Sequence, residues 1–421
     1  MTVTRRSFLR TTGAAALVAH PFVANAQAGV HVVIVGGGFG GATAAKYLRR
    51  FNPALRITMV EPADQFVMCP MSNRVIHGGL SLSDISRGYE RFLARYAVRR
   101  IKASADDIDA ERSELRVGGE RIGYDRLIVA PGVDFDYSEI PGLEDAATQA
   151  LVPHAWKAGP QTQQLKEMLQ AMPDGGTAAI HIPKVPYRCP PGPYERASLI
   201  AYYLKLRKPR AKLLVFDANP EIQSKKGLFE AAWKSRYTNV IEYLPNAEID
   251  GVDAASRSIE LKVHGKYKVD VLNVIPPQRA GAIARKAGLA TVGGRWCGVD
   301  FLSYESARHR NIHVIGDAIA GAPGMPKSGH MANQEAKVCA GAIAAYSLGQ
   351  PVPAEPIIAN TCYSFVSQNE AVHVASVHRY DSEKRTMVSA KGAGGLSPAP
   401  SVTEGLYAMA WAVNILNDTL G

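Results

Sequence analysis

Chemistry is easiest to read in residues 30–48, where the β-branched run Val32-Val33-Ile34-Val35 breaks at Gly36-Gly37-Gly38 and passes at once into helix-forming residues from Phe39. A strand, a tight turn and a helix N-terminus in immediate succession offer unpaired backbone amides to an anion. Gly36 permits the turn, Gly38 lets the backbone approach a pyrophosphate, and Gly41 lets helix and strand pack closely. A second apolar run, Ile57-Thr58-Met59-Val60, ends at Glu61, twenty residues past Gly41. An acid at that spacing reaches a ribose hydroxyl, so the pattern predicts a dinucleotide site.

Two later stretches make the dinucleotide FAD. Tyr124–Gly132 is a buried-strand pattern closing on Ala130-Pro131-Gly132, where flavoproteins of the two-dinucleotide type return to their sheet. Residues 311–318 form a strand followed by Gly316-Asp317, which places an acid at the ribityl chain or pyrophosphate. Residues 29–150 and 276–350 thus form a discontinuous FAD domain. Met325-Pro326-Lys327, just before a predicted helix over 329–338, brings a cation and a helix N-terminus to the flavin pyrimidine ring.

The elements between these pieces form a second α/β unit, 151–275, with strands at 177–182 and 212–217. An NADH-using reductase carries a second glycine loop after the first of these strands. Here Pro183, Pro186, Pro190, Pro191 and Pro193 crowd the same place, around Cys189. Proline removes amide donors and fixes φ, so this turn cannot wrap a pyrophosphate. Residues 351–421 read as a small capping or interface domain, with a strand at 372–377 and a helix at 402–416. The expected fold class is therefore α/β: two Rossmann-like domains and a small C-terminal domain.

Composition narrows the setting. A chain of 421 residues exceeds one core, and 47% hydrophobic with 20% charged residues describes a globular enzyme. No apolar run reaches the roughly 18–20 residues that span a bilayer. Thr4-Arg5-Arg6-Ser7-Phe8-Leu9-Arg10, an apolar stretch from Ala14 to Val23 and Ala24-Asn25-Ala26 form a twin-arginine export pattern, cleaved near Ala26 or Ala28. Residues 1–28 are read as that signal, and the mature protein as periplasmic. Loss of residues 1–26 removes three arginines and no acids, lowering the formal charge from +10 to +7. The remaining cations are scattered and read as solvated faces that steer an acidic protein partner; they form no nucleic-acid groove. Cys69, Cys189, Cys297, Cys339 and Cys362 lack metal-ligand spacing, and there is no CxxC or CxxCH, so no c-type haem attaches to this chain. In an oxidising compartment some of them pair, and the odd count leaves a thiol over.

Cys69-Pro70-Met71-Ser72-Asn73, Arg188–Ser198 (RCPPGPYERAS), Ile275–Gly281, Met325–Gly329 and Asn360-Thr361-Cys362-Tyr363-Ser364, together with the Gly36–Gly41 loop, are the basis of a family resemblance. Through them the whole mature chain resembles the flavoprotein subunit of flavocytochrome c sulfide dehydrogenase. The resemblance implies a glutathione reductase-like fold, sulfide as substrate, FAD as cofactor and a separate c-type cytochrome subunit as electron acceptor. By position it implies that Cys69 bonds to the flavin 8α-methyl group, that Cys189 and Cys362 form a redox disulfide, that Glu195 is the base and that Trp411 lies near the flavin. Pro70 after Cys69, and His330 where a tyrosine is familiar, depart from the pattern. Within this scheme hydrosulfide opens the disulfide to a persulfide and a thiolate, and the helix starting near Pro193 lowers the Cys189 pKa. Cys297 and Cys339 read as structural, His154 and Trp156 as packing at a domain junction. Two alternatives stand beside it. One is an accessory flavoprotein of a sulfur-oxidising complex. The other is a quinone- or NAD(P)H-linked disulfide reductase, disfavoured by the missing glycine loop and by the lack of an amphipathic membrane-binding C-terminus.

Overall fold

The computed structural model describes residues 29–421; the proposed export signal lies outside the described residues. The strand His31–Val35 is buried along its whole length, as a β-branched run flanked by parallel neighbours must be. It occupies the middle of a seven-stranded sheet with Arg56–Val60 and Arg99–Ile101 on one side. On the other side lie Arg126–Val129 and then Ile312–Val314, both parallel to it. The late strand therefore lies beside one that precedes it by nearly two hundred residues in the chain, and Gly316-Asp317 reaches the same sheet end as Gly36. The helices Phe39–Phe51 and Gly329–Ser347 pack together on this sheet, the second running well beyond the predicted 329–338.

The second sheet has four parallel strands in the order Ile241–Leu244, Lys212–Asp217, Thr177–Ile182, Val271–Val274. The helices Gly192–Arg207 and Lys226–Arg236 cover one face with Tyr194, Phe229 and Trp233 in mutual ring contact. Behind the other face lies a separate core that includes Leu143, Phe216 and Ile259.

The C-terminal unit is larger in strand content than expected. Ile357–Phe365, Ala371–Asp381 and Thr386–Leu396 form an antiparallel meander, so Asn360–Ser364 lies inside a strand. The glycines at 392–395 belong to its edge strand. Gly394 has φ +104°, and an added Cβ would stand 2.3 Å from the Ala375 carbonyl oxygen. The closing helix runs Val402–Leu420, capped by Ser401, whose Oγ accepts from the Glu404 amide. Val402, Leu406, Tyr407 and Val413 are exposed on it. Its inward face packs on Phe39–Phe51 and the strands, and these apolar side chains lie on the part left uncovered. No helix among the described residues is long and apolar enough to cross a membrane.

Candidate active site

The glycine turn has the shape its spacing demands. Gly36 sits at φ +97°, and a Cβ there would lie 2.4 Å from the Ala130 carbonyl oxygen. A Cβ on Gly41 would lie 1.8 Å from the Gly36 oxygen, so any side chain separates helix from strand. Gly38, at the helix N-terminus, faces open space and has no side-chain cap, leaving the first-turn amides available. The Glu61 carboxylate accepts from the Gly37 amide at 2.6 Å and the Ala63 amide at 2.7 Å, fixing it at the mouth of the turn.

These residues line one end of a cleft of about 490 Å³. Gly36, Gly38, Glu61, Ala130, Gly132, Gly316, Asp317 and Cys69 all line it; Gly41 shapes it from behind. Asp317 is buried with Oδ1 lacking any partner among the described residues, while Oδ2 stands 3.8 Å from Arg188 Nη1. Burial pushes this carboxyl up, with Arg188 and Lys327 pulling it back. An orphaned acceptor facing a cleft that begins at a glycine turn fits a hydroxylated chain running from a pyrophosphate, and the site therefore fits FAD.

At Cys69 the cleft meets a smaller cavity of about 100 Å³, lined by Cys189, Cys362, Glu195, Trp156, His330 and Trp411 among others. Cys69, Phe39, Arg188, Asp317 and Gly329 line both spaces. Cys69 opens a single turn of 3₁₀ helix, and its Sγ lies 3.4 Å from the Trp156 oxygen and 3.5 Å from Arg188 Nη2. Cys362 lies on the strand Ile357–Phe365, with Asn360 Nδ2 3.4 Å from Sγ. Cys189 occupies the turn before the helix Gly192–Arg207, at φ +57°; its amide donates to the Lys327 oxygen at 2.8 Å. Cys189 and Cys362 are separate thiols here.

The expected lowering of the Cys189 pKa is reversed. Burial pushes this thiol well up, and the Cys362 and Glu195 charges push the same way. The helix N-terminus does not offset the desolvation at this turn, where Gly192 seats against Trp156: a Cβ there would lie 2.7 Å from the indole and 3.0 Å from Cys189 Sγ. Burial also raises Cys362, but the Lys225 ammonium and the Asn360 hydrogen bond pull it down.

Glu195, on the first turn of the same helix, is buried between Asn73 and the C-terminal strand. Oε2 accepts from Asn73 Nδ2 at 2.8 Å and Oε1 from the Phe365 amide at 2.8 Å. Burial raises its carboxyl above the ordinary range although both hydrogen bonds favour the charged form. Lys327 is half-buried: Nζ donates to the Asp317 backbone oxygen at 3.2 Å and to the Ile319 oxygen, over the Trp296 ring. Burial brings it down to about 8. Trp411 stands between His330 and Tyr363, ring centroids 6.0 and 6.2 Å away. Cys297 and Cys339 are wholly buried away from both spaces.

Several residues escaped the sequence reading. Arg196 is buried with a full set of acceptors: Asn73 Oδ1, Asn273 Oδ1 and the carbonyls of His154 and Ala155. It also lies over the Trp156 ring, 4.8 Å from its centroid. His154 and Trp156 thus do sit at a junction, yet Trp156 also walls the sulfur cavity. Arg188 donates to the Trp156 oxygen and bridges the two spaces. Asp217, ending Lys212–Asp217, accepts from Tyr194 and Tyr243 hydroxyls at 2.7 and 2.9 Å and from Asn219. The Arg-Cys-Pro-Pro and Tyr-Glu-Arg wording of the turn was the available signal for Arg188 and Arg196; Lys225 and Asp217 had none.

Comparison with known proteins gives the same picture. The model for the central part of the sulfide dehydrogenase [flavocytochrome c] flavoprotein chain matches residues 162–276. That for the flavin-binding part of flavocytochrome c sulphide dehydrogenase matches 354–420, and a pyridine nucleotide-disulphide oxidoreductase model matches 30–167. The chain is 61% identical over 44 residues to the sulfide dehydrogenase [flavocytochrome c] flavoprotein chain of Chlorobaculum thiosulfatiphilum, covering 10% of this chain and 92% of that sequence. It is 25% identical over 307 residues to the mitochondrial sulfide:quinone oxidoreductase of Mus musculus, covering 68% of this chain and 65% of the mouse protein. The crystal structure of the Aquifex aeolicus sulfide:quinone oxidoreductase superposes with a TM-score of 0.74 at 19% identity, over 93% of this chain and 91% of that one. With a Rossmann-type flavoprotein fold and a cleft fitted to FAD, the chain matches the flavocytochrome c sulfide dehydrogenase flavoprotein over both its central and its flavin-binding parts.

Proposed function

We propose that the protein oxidises sulfide at Cys189 and Cys362, passes the electrons to FAD held in the adjoining cleft, and delivers them to a c-type cytochrome subunit. The observation that carries this reading is the convergence of Cys189, Cys362 and Glu195 in one buried cavity that opens onto the glycine-lined cleft at Cys69. Gly36, Gly38, Glu61, Gly132 and Asp317 hold the cofactor, with Cys69 at the rim for covalent attachment. FAD, when bound, accepts electrons as a pair and releases them singly.

Hydrosulfide opening a Cys189–Cys362 disulfide forms one sulfur–sulfur bond and breaks another, releasing a thiolate. Cys362 is the better leaving group: burial opposes both thiolates and Lys225 favours both, but Cys362 also accepts side-chain hydrogen bonds whereas Cys189 faces the added charges of Cys362, Glu195 and Cys69. Cys189 then carries the persulfide, and Glu195 takes its proton, a task suited to a carboxyl raised toward neutrality. Overall one hydrosulfide yields one sulfane sulfur held on the cysteine pair, one proton and two electrons. Twin-arginine export to the periplasm belongs to the same reading, with cell fractionation as its check.

Anaerobic sulfide should bleach the bound flavin within the mixing time of a rapid-scan experiment, and added cytochrome c should restore the colour catalytically. Bleaching by NADH at a catalytic pace, with none by sulfide, overturns the proposal. A second acceptor has a specific observation behind it: the exposed apolar face at Val402, Leu406, Tyr407 and Val413 resembles a surface for a quinone-bearing membrane. Reoxidation by a short-chain quinone and not by cytochrome c would select it.

A further inference from the structure

Lys225 is the most unusual cation in the molecule outside the residues already assigned roles. It precedes the helix Lys226–Arg236 in a left-handed conformation, φ +57°, which a lysine adopts only when its surroundings impose it. The side chain is 5% exposed. Its Nζ donates to the Cys362 oxygen at 2.7 Å, to Ser364 Oγ at 2.8 Å and to the Val372 oxygen at 3.3 Å. All three ammonium hydrogens are thus spent on two neighbouring strands of the C-terminal meander, one of them on the redox cysteine itself.

All three partners are uncharged. Lys225 forms no ion pair with a carboxylate among the described residues. An ammonium buried without a direct counter-charge is expensive, and a neutral side chain of similar length would tie the strands together with less penalty. The anionic groups that face it are Cys362 on its strand, Cys189 on the turn, Glu195 on the helix Gly192–Arg207 and, farther off, Glu404 on the closing helix. The charge is therefore without a partner until one of the cavity groups ionises.

We propose that Lys225 is a positioning residue for the sulfur chemistry, holding the Cys362 backbone in place and supplying the buried positive charge that makes the Cys362 thiolate accessible. This rests on reading Cys189 and Cys362 as the sulfide-reactive pair. Burial brings the lysine itself down to about 8, so the field it supplies fades as it deprotonates. The thiolate is consequently favoured most at pH values where Lys225 is still charged.

The test is the pH profile of iodoacetamide labelling at Cys362 in the reduced, flavin-loaded protein, read by peptide mass. Lys225→Met should move the labelling midpoint up by about one pH unit or more, or about tenfold slower labelling at a fixed pH below the midpoint. Ser364→Ala removes one hydrogen bond and keeps the charge; Lys225→Arg keeps charge and donors. Both should leave the midpoint within about 0.3 of a unit. An unchanged midpoint in Lys225→Met overturns the proposal, as does an equal shift in Ser364→Ala, which would mark a purely mechanical clamp. If Lys225→Met does not fold, Lys225→Arg decides: a retained midpoint supports the role, and a full-unit rise with the charge still present refutes it. Labelling uses no sulfide, so a wild-type protein that sulfide fails to reduce would defeat the functional reading while leaving this comparison intact.

Discussion

At the end of His31–Val35 the chain turns through glycine; at the end of Thr177–Ile182 it turns through proline and cysteine. Both strands lie between parallel neighbours and both lead to a helix, yet the first turn leaves the amides at its helix N-terminus open and the second does not. In the second, the Cys189 amide is spent on the Lys327 oxygen and the Gly192 amide on the Cys189 oxygen. Trp156 fills the space at Gly192 that a phosphate would need. The acids that end the next strand differ in the same way. Glu61 lines the open cleft, whereas Asp217 is wholly buried and saturated by Tyr194, Tyr243 and Asn219. One strand–turn–helix frame thus offers an anion site in one case and carries a cysteine in the other, according to whether its helix-terminal amides are left open.

The sharpest way to break this contrast is to remove the sulfur. Cys362→Ala should lower sulfide-dependent flavin reduction by on the order of a thousandfold, about 4 kcal/mol of barrier, with flavin binding retained. Full activity in that variant would return the second turn to a structural role. The converse change at the first turn is Gly41→Val, whose side chain must displace the Gly36 carbonyl. The expected loss is about 3 kcal/mol of stability and most of the bound flavin, seen by calorimetry and by absorbance near the flavin maximum.

Glu195→Gln sharpens the comparison on the proton. The base works ionised, so wild-type reduction by sulfide should rise with pH through the elevated carboxyl pKa and then level off. The glutamine variant should lose that rising limb and run about a hundredfold slower. A limb of unchanged position would assign it to another group. The smallest effect is expected at Asp217→Ala, which removes the carboxylate that accepts from the buried Tyr194 and half-buried Tyr243 hydroxyls. About 2 kcal/mol of stability should disappear in a denaturant titration, without any gain of NADH-driven flavin bleaching. If bleaching by NADH appeared, the saturated acid would be the element excluding the nucleotide.

How much of this was readable in advance differs by region for a physical reason. The glycine turn, Glu61 and the Gly316-Asp317 strand end were legible because each requirement is local: a φ that only glycine tolerates, a close approach, an acid at a strand end. The proline-rich turn was legible as a loss of donors. The direction of the Cys189 shift was misread because helix-terminus position is a sequence feature and desolvation is not; it depends on Trp156 arriving from another segment. The C-terminal edge strand was missed because Gly392–Gly395 carry no β-propensity and pair only through backbone geometry.

The chain's own order of residues therefore determined the two α/β units, the dinucleotide turn and the identity of the sulfur atoms, since these follow from short-range sterics and hydrogen-bonding capacity. Only the tertiary structure decided that Cys69, Cys189 and Cys362 line one cavity, that Arg196 lies buried at its wall and Lys225 beside Cys362, and that Asp217 is sealed. Burial and electric field are properties of everything packed around a group, and segments far apart in the chain supply them.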